Sequence, residues 1–227
     1  MYQHWGKLLF LHWPVRAESL RPLIPDPLVV DTFDGAAWIG ITPFTMWGMR
    51  PVFLPPIPFL SESHELNVRM YVQLDGVSGI WFFSSDASNP IAALGARSTF
   101  HLPYFSAHMS LERRDRTLRF ASRRSRIHAA PAELEATWTV GDRLPQSEPG
   151  FLRFFLTERY ALYSARGAAL YRTRIFHRPW PLQGAHLLSF RSTMRESQGL
   201  PTPGDAPLLH QKGEPLRVSI WPRVRIQ

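Results

Sequence analysis

The chain has 227 residues, enough for one sizeable core, and its 44% hydrophobic and 13% aromatic content describes a packed globular protein rather than a disordered one. The absence of cysteine excludes disulfides, thiolate catalysis and cysteine metal sites. The formal net charge is +8, yet of the 26 basic residues only Lys7 and Lys212 are lysine.

In chain order, residues 6–13 read as a strand and "RAESLRPLI" (16–24) as a short helix stopped by Pro25. The opening residues lack a basic segment ahead of an apolar run, so no signal peptide is expected. No stretch approaches the length of a membrane-spanning helix, and the expected location is the cytoplasm. After the turn "DTFDG" comes the strand "AAWIGITPF" (36–44). The proline-rich stretches 51–58 and 201–207 read as loops.

Residues 65–74 and 79–85 read as a hairpin turning at Asp75-Gly76. Its first strand, "ELNVRMYV" (65–72), alternates with period two. Glu65, Asn67, Arg69 and Tyr71 share one side; Leu66, Val68, Met70 and Val72 share the other. The polar side either faces water or lines a pocket. "NPIAALGAR" (89–97) reads as a helix with Asn89 as cap and Pro90 at its first position.

Residues 105–112, 117–123, 127–129 and 133–140 are strands at meander spacing. The arginine-rich stretch 112–126 turns near Arg114-Asp115, which places its arginines on the outside of a hairpin. "FLRFFLTERYALY" (151–163) reads as a helix, although its aromatic residues also permit a strand. Strands follow at 168–176, 185–193 and 216–225. Many antiparallel strands with few helices indicate a barrel or strongly curved sheet, in one domain spanning 1–227.

No G-x-S-x-G elbow, phosphate loop, G-x-G-x-x-G or helical histidine pair is present, and no metal or cofactor is expected. Glu65, Asp86, Arg69, Arg97 and Tyr104 are groups that could hold a small carboxylate or keto acid in a barrel mouth.

Taken together, "HWPV", "DTFDGAAWIGITPF", "ELNVRMYV", "GIWFFSSDA", "ARSTFHLPYF", "FLTERYALYS" and "HRPWPLQ" resemble the YqjF-like uncharacterised proteins of the acetoacetate decarboxylase-like superfamily. The resemblance runs from about residue 5 to 222 and implies a cone-shaped, largely antiparallel β-barrel with a polar pocket. It implies that Glu65 faces that pocket, and it makes self-association the superfamily's habit. The decarboxylases form a Schiff base through a lysine in a Pro-Lys-Lys segment. Here Tyr104 and Phe105 stand in the two lysine places after Pro103, so amine-based decarboxylation is not expected.

The leading expectation is a pocket, formed by Glu65, Asn67, Arg69, Arg97 and Tyr104, that binds a small anionic or carbonyl-bearing metabolite. A second is a cofactor-independent lyase or isomerase acting on a keto or hydroxy acid, with Glu65 and Tyr104 as acid/base groups. A third, a polyanion binder, is disfavoured because Glu112 and Asp115 interrupt the basic stretch; nucleic acid is not the expected partner.

Overall fold

The computed structural model describes residues 1–58, 62–125, 130–202, 207–212 and 215–227, the side chains of Leu209, Gln211 and Lys212 excepted. The strand expected over 127–129 and most of the loop at 201–207 lie outside the described residues.

Strands β1 (Tyr2–Gly6) and β2 (Leu9–Val15) divide what the sequence suggests is one strand over 6–13. The break falls at Lys7, which takes a positive φ of 50° and sits on an exposed turn, not in a strand. Helix α1 (Ala17–Leu20) and β3 (Val29–Val30) lead to β4 (Ala37–Arg50). The expected hairpin is β5 (Glu62–Leu74) and β6 (Val77–Ala87), turning at Asp75 and Gly76, both at positive φ. Helix α2 (Pro90–Phe100) begins where Asn89 Oδ1 accepts hydrogen bonds from the Ile91 and Ala92 amides.

Next come β7 (Tyr104–Arg114), β8 (Thr117–Arg124) and β9 (Glu133–Arg143). The stretch 151–163 divides: α3 (Leu152–Thr157) is followed by β10 (Ala161–Arg166), so both readings of its aromatic residues hold, each for one half. The chain finishes with β11 (Ala169–Phe176), β12 (Leu182–Ser192), β13 (Leu208–Lys212), β14 (Leu216–Ile220) and β15 (Val224–Arg225).

All 15 strands among the described residues belong to one sheet whose pairing closes on itself twice. One circuit runs β1-β14-β11-β10-β6-β5-β4 and back to β1. The other runs β2-β4-β5-β6-β7-β8-β9-β12-β13 and back to β2. Strands β4, β5 and β6 are common to both. Pairing is antiparallel except where β6 meets β10 and β7.

This sharing accounts for the alternation in "ELNVRMYV". All eight of its residues are buried. Leu66, Val68, Met70 and Val72 pack with Trp13, Ile39, Phe120 and Trp138 in the main core. Each such aliphatic or aromatic side chain contributes on the order of 1.5–3 kcal/mol by leaving water. The polar residues look the other way, toward the smaller circuit. Strand β5 is therefore an internal wall with two buried faces.

On β6, one extra residue disturbs the alternation. The register passes from Val68↔Ser84 to Arg69↔Phe82, leaving Phe83 as a bulge. Ile80 and Phe82 face the smaller circuit, and after the bulge so does Ser85. Asp86 consequently points into the larger circuit. There Arg124 of β8 donates to both its carboxylate oxygens, at 2.7–3.1 Å, with both side chains almost fully buried. Arg124 is thus an exception to the outward-facing arginines of this hairpin; Arg113, Arg114, Arg116, Arg119 and Arg123 are exposed as expected.

Candidate ligand-binding site

The polar face of β5 lines a cavity of about 90 Å³ inside the smaller circuit. Four of the five expected binding residues, Glu65, Asn67, Arg69 and Tyr104, are among its walls. Their order follows from the strand period: Glu65, Asn67 and Arg69 succeed one another at steps of about 6.7 Å. Opposite them on β4, Phe44 pairs with Glu65, Thr42 with Asn67 and Gly40 with Arg69.

At one end, the Tyr104 hydroxyl donates to Glu65 Oε1 at 3.0 Å. Among the described residues no cation partners Glu65, and its burial raises the carboxyl pKa to about 8 against an ordinary 4.5, with the Tyr104 hydrogen bond acting in the opposite sense. Burial, reinforced by Glu65, raises the Tyr104 hydroxyl well above its usual range. The pair is therefore a neutral acid beside a neutral phenol at pH 7.

At the other end, the Arg69 guanidinium lies over the Phe10 ring, 5.1 Å from its centroid. Gly40 makes room for it: a Cβ there would come within 3.2 Å of Arg69 Cγ and Nε. Arg69 is 8% exposed, its Nε–H has no hydrogen-bond partner, and among the described residues no carboxylate stands within ion-pair distance. Beside it, Arg159 donates from Nη1 to Asp31 at 2.6 Å and from Nε to the Phe155 carbonyl at 2.6 Å. Its Nη2 is buried without a partner, and Arg159 is also among the cavity walls. Three wall oxygens, Gln3 Oε1, Thr42 Oγ1 and Asn67 Oδ1, are buried without partners.

Tyr71, the last polar residue of the set, is structural. Its hydroxyl donates to the Leu156 carbonyl at 2.7 Å and contacts His12 Nε2 at 2.7 Å. With its proton given to the carbonyl, the hydroxyl accepts from His12, so His12 carries its proton on Nε2. Burial, aided by Arg69 and His210, pushes the His12 pKa well down and keeps it neutral. This relay ties α3 to β5, and Arg159 follows two residues past the end of that helix, among the cavity walls.

Arg97 is not among the cavity walls. It projects from the exposed side of α2, and its Nε donates to the Tyr104 carbonyl at 3.1 Å, with a second bond from Nη2. Arg97, expected to bind ligand beside Glu65, stands outside this cavity and grips the main chain of Tyr104 from there. Lys7 also lies elsewhere, 3.9 Å from Glu62 on the surface, and no lysine is among the described residues lining the cavity.

Sequence reasoning missed Arg159, Thr42, Gln3 and His177 as cavity residues. Arg159 sat inside "FLTERYALYS", where a continuous helix concealed the break that exposes it. His177 stood in "HRPWPLQ", too far from any other histidine to suggest a pair.

The DUF2071 family, described as an uncharacterized conserved protein, matches residues 2–214. The uncharacterized protein YqjF of Bacillus subtilis (strain 168) is 40% identical over 227 residues, covering 98% of this chain and 90% of that protein. Among solved structures, the enduracididine biosynthesis enzyme MppR complexed with pyruvate superposes with a TM-score of 0.67 at 13% identity, over 100% of this chain and 90% of that one. Acetoacetate decarboxylase from Legionella pneumophila superposes with a TM-score of 0.61 at 12% identity, over 100% and 87%. At these identities the likeness is one of fold: mainly β with a few short helices, acetoacetate decarboxylase-like.

Proposed function

The chain belongs to the DUF2071 family of uncharacterized conserved proteins, and from that premise we propose that its inner cavity binds a small anionic or carbonyl-bearing metabolite. The observation that carries the reading is Arg69: a buried guanidinium aimed into a cavity without a carboxylate beside it. An unpaired buried charge is costly, and a ligand carboxylate would offset that cost with bidentate geometry. The unpaired Arg159 Nη2 and the oxygens of Gln3, Thr42 and Asn67 supply further hydrogen-bonding positions. A cavity of about 90 Å³ suits a compact molecule.

Pyruvate is a suitable probe, because it is the ligand of the similarly folded MppR. Calorimetric titration at pH 7 should detect binding, and Arg69→Met should weaken it by about tenfold or more, the worth of one charged hydrogen bond. Unchanged affinity in Arg69→Met, or no binding of pyruvate or any other small oxo or hydroxy acid, would overturn the reading.

A second reading is favoured by the Glu65–Tyr104 contact: a cofactor-independent lyase or isomerase acting on a keto or hydroxy acid. Ionised Glu65 would take a proton from the carbon next to a carbonyl, and the Tyr104 hydroxyl would hydrogen-bond the enolate oxygen. This chemistry requires no amine. In D2O, proton NMR should show solvent deuterium entering the methyl group of pyruvate, at a rate rising with pH to about 8 and lost in Glu65→Gln. Full exchange in that variant, or none in the parent protein with any keto acid, would end this reading.

A further inference from the structure

Strand β6 changes partners on one edge. β10 pairs with it only at Ile80 and Trp81, and β7 joins at Ser85. Between them, among the described residues, no strand pairs with residues 82–84 on that edge. The sheet forks there, and the fork opens into a cleft of about 810 Å³, far larger than the inner cavity and within the range that accommodates a drug-sized ligand.

Its composition is one-sided. Trp81 and Phe83 of β6 are half-buried walls, with Tyr163 of β10 beside them. Arg97, Ser98 and His101 come from the end of α2, Arg166 from the end of β10, and among the described residues no carboxylate is part of the lining. The Arg97 guanidinium is fixed in place by its two hydrogen bonds to the Tyr104 carbonyl. His101 takes the left-handed conformation that ends α2, and its ring stands edge-on to Tyr171 at 5.0 Å. Desolvation first, then the positive fields of Arg223 and Arg166, lower its pKa, which marks the rim as electropositive. Flat apolar walls beside one fixed guanidinium, that of Arg97, and a second, exposed one on Arg166 recognise a ring by stacking and an anion by charge-assisted hydrogen bonds.

We propose that the fork cleft is a second ligand site, distinct from the inner cavity, for a planar aromatic molecule bearing a carboxylate or phosphate. The two sites share Phe82 and Leu102 as walls and lie on different sides of α2, whose Ala92 and Ala96 line the inner cavity while Arg97 and Ser98 line the cleft.

Calorimetric titration of the full chain with AMP, benzoate, adenosine and inorganic phosphate tests it. AMP or benzoate should bind roughly tenfold or more tightly than both adenosine and phosphate, because ring and anion must be held together. Binding by AMP alone assigns the anion as phosphate, and binding by benzoate alone assigns it as carboxylate. Arg166→Glu, at an exposed position, should weaken the preferred ligand by about tenfold, while Arg69→Met in the inner cavity should leave it unchanged. Loss of binding in Arg69→Met without loss in Arg166→Glu would move the ligand to the inner cavity and overturn the proposal. So would equal affinity for AMP and phosphate, or no binding by any of the four.

Discussion

A carboxyl group inside a nearly closed cavity, with a phenol for its partner, gives up its proton late. Glu65 in the folded chain holds its proton up to about pH 8, whereas the unfolded chain releases it near 4.5. Between these values the unfolded state carries fewer protons, so this residue lowers stability as pH rises, by at most about 5 kcal/mol, and adds nothing further above pH 8. Urea midpoints at pH 6 and pH 9 should accordingly differ more in the parent protein than in Glu65→Gln, with the variant the more stable at pH 9 relative to its parent. Identical pH slopes in the two proteins would contradict the buried, cation-free environment of Glu65. At this scale the sequence was informative where period two applied: Glu65, Asn67 and Arg69 share a face, as the alternation requires. It was silent where the chain leaves regular structure. Arg159 reaches the cavity because α3 ends at Thr157, and Arg97 misses it because α2 turns that position outward.

Single strands, in turn, depend on irregularities that local patterns do not display. The hairpin β5–β6 was readable from Asp75-Gly76, and α2 from Asn89-Pro90, since both signals are local. The bulge at Phe83 was not, because it exists only in relation to the register of β5. Its effect is to put Ser85 rather than Asp86 on the cavity side, which leaves Asp86 on the opposite side, in contact with Arg124. Burial raises the Asp86 pKa, and the Arg124 bonds oppose that shift. Asp86→Ala would strand Arg124 without a counter-charge over the Phe105 ring, 4.2 Å away. The expected loss is about 3–5 kcal/mol, with Asp86→Ala/Arg124→Met recovering part of it, measured by chemical denaturation as a double-mutant cycle. Additive losses would show that the two side chains act separately. Gly79 is a second such point. A Cβ there would stand 2.7 Å from the Ala161 carbonyl oxygen and 2.6 Å from the Tyr163 ring, so Gly79→Ala should destabilise by about 1–3 kcal/mol by prising β10 from β6.

The whole molecule is held by pairings between distant segments. β1 joins β14 across most of the chain, and β13 joins β2, closing the two circuits. Strand content and the mainly β class were legible in the sequence; the double closure was not, since no residue pattern states which edge meets which. Amides of residues 65–72, paired to β4 and β6, belong to the part of the fold with the least access to solvent. In native-state hydrogen exchange they should be the last to exchange, well after those of the exposed β7–β8 tip at 112–117. Comparable rates in the two regions would contradict the role of β5 as a common wall.

A wall with two insides also constrains which sequences the family can explore. An ordinary sheet strand has a free side where substitutions accumulate harmlessly; residues 65–72 have none. In a saturation-mutagenesis scan this strand should be depleted of tolerated changes at every position, under two separate rules. The even positions should admit only aliphatic residues of similar volume and fail by losing soluble protein. The odd positions from 65 to 69 should keep folded protein with some polar replacements and fail in whatever assay reads the ligand. Such alternation of abundance-limited and ligand-limited sites along residues 65–70 would locate the cavity from a library alone.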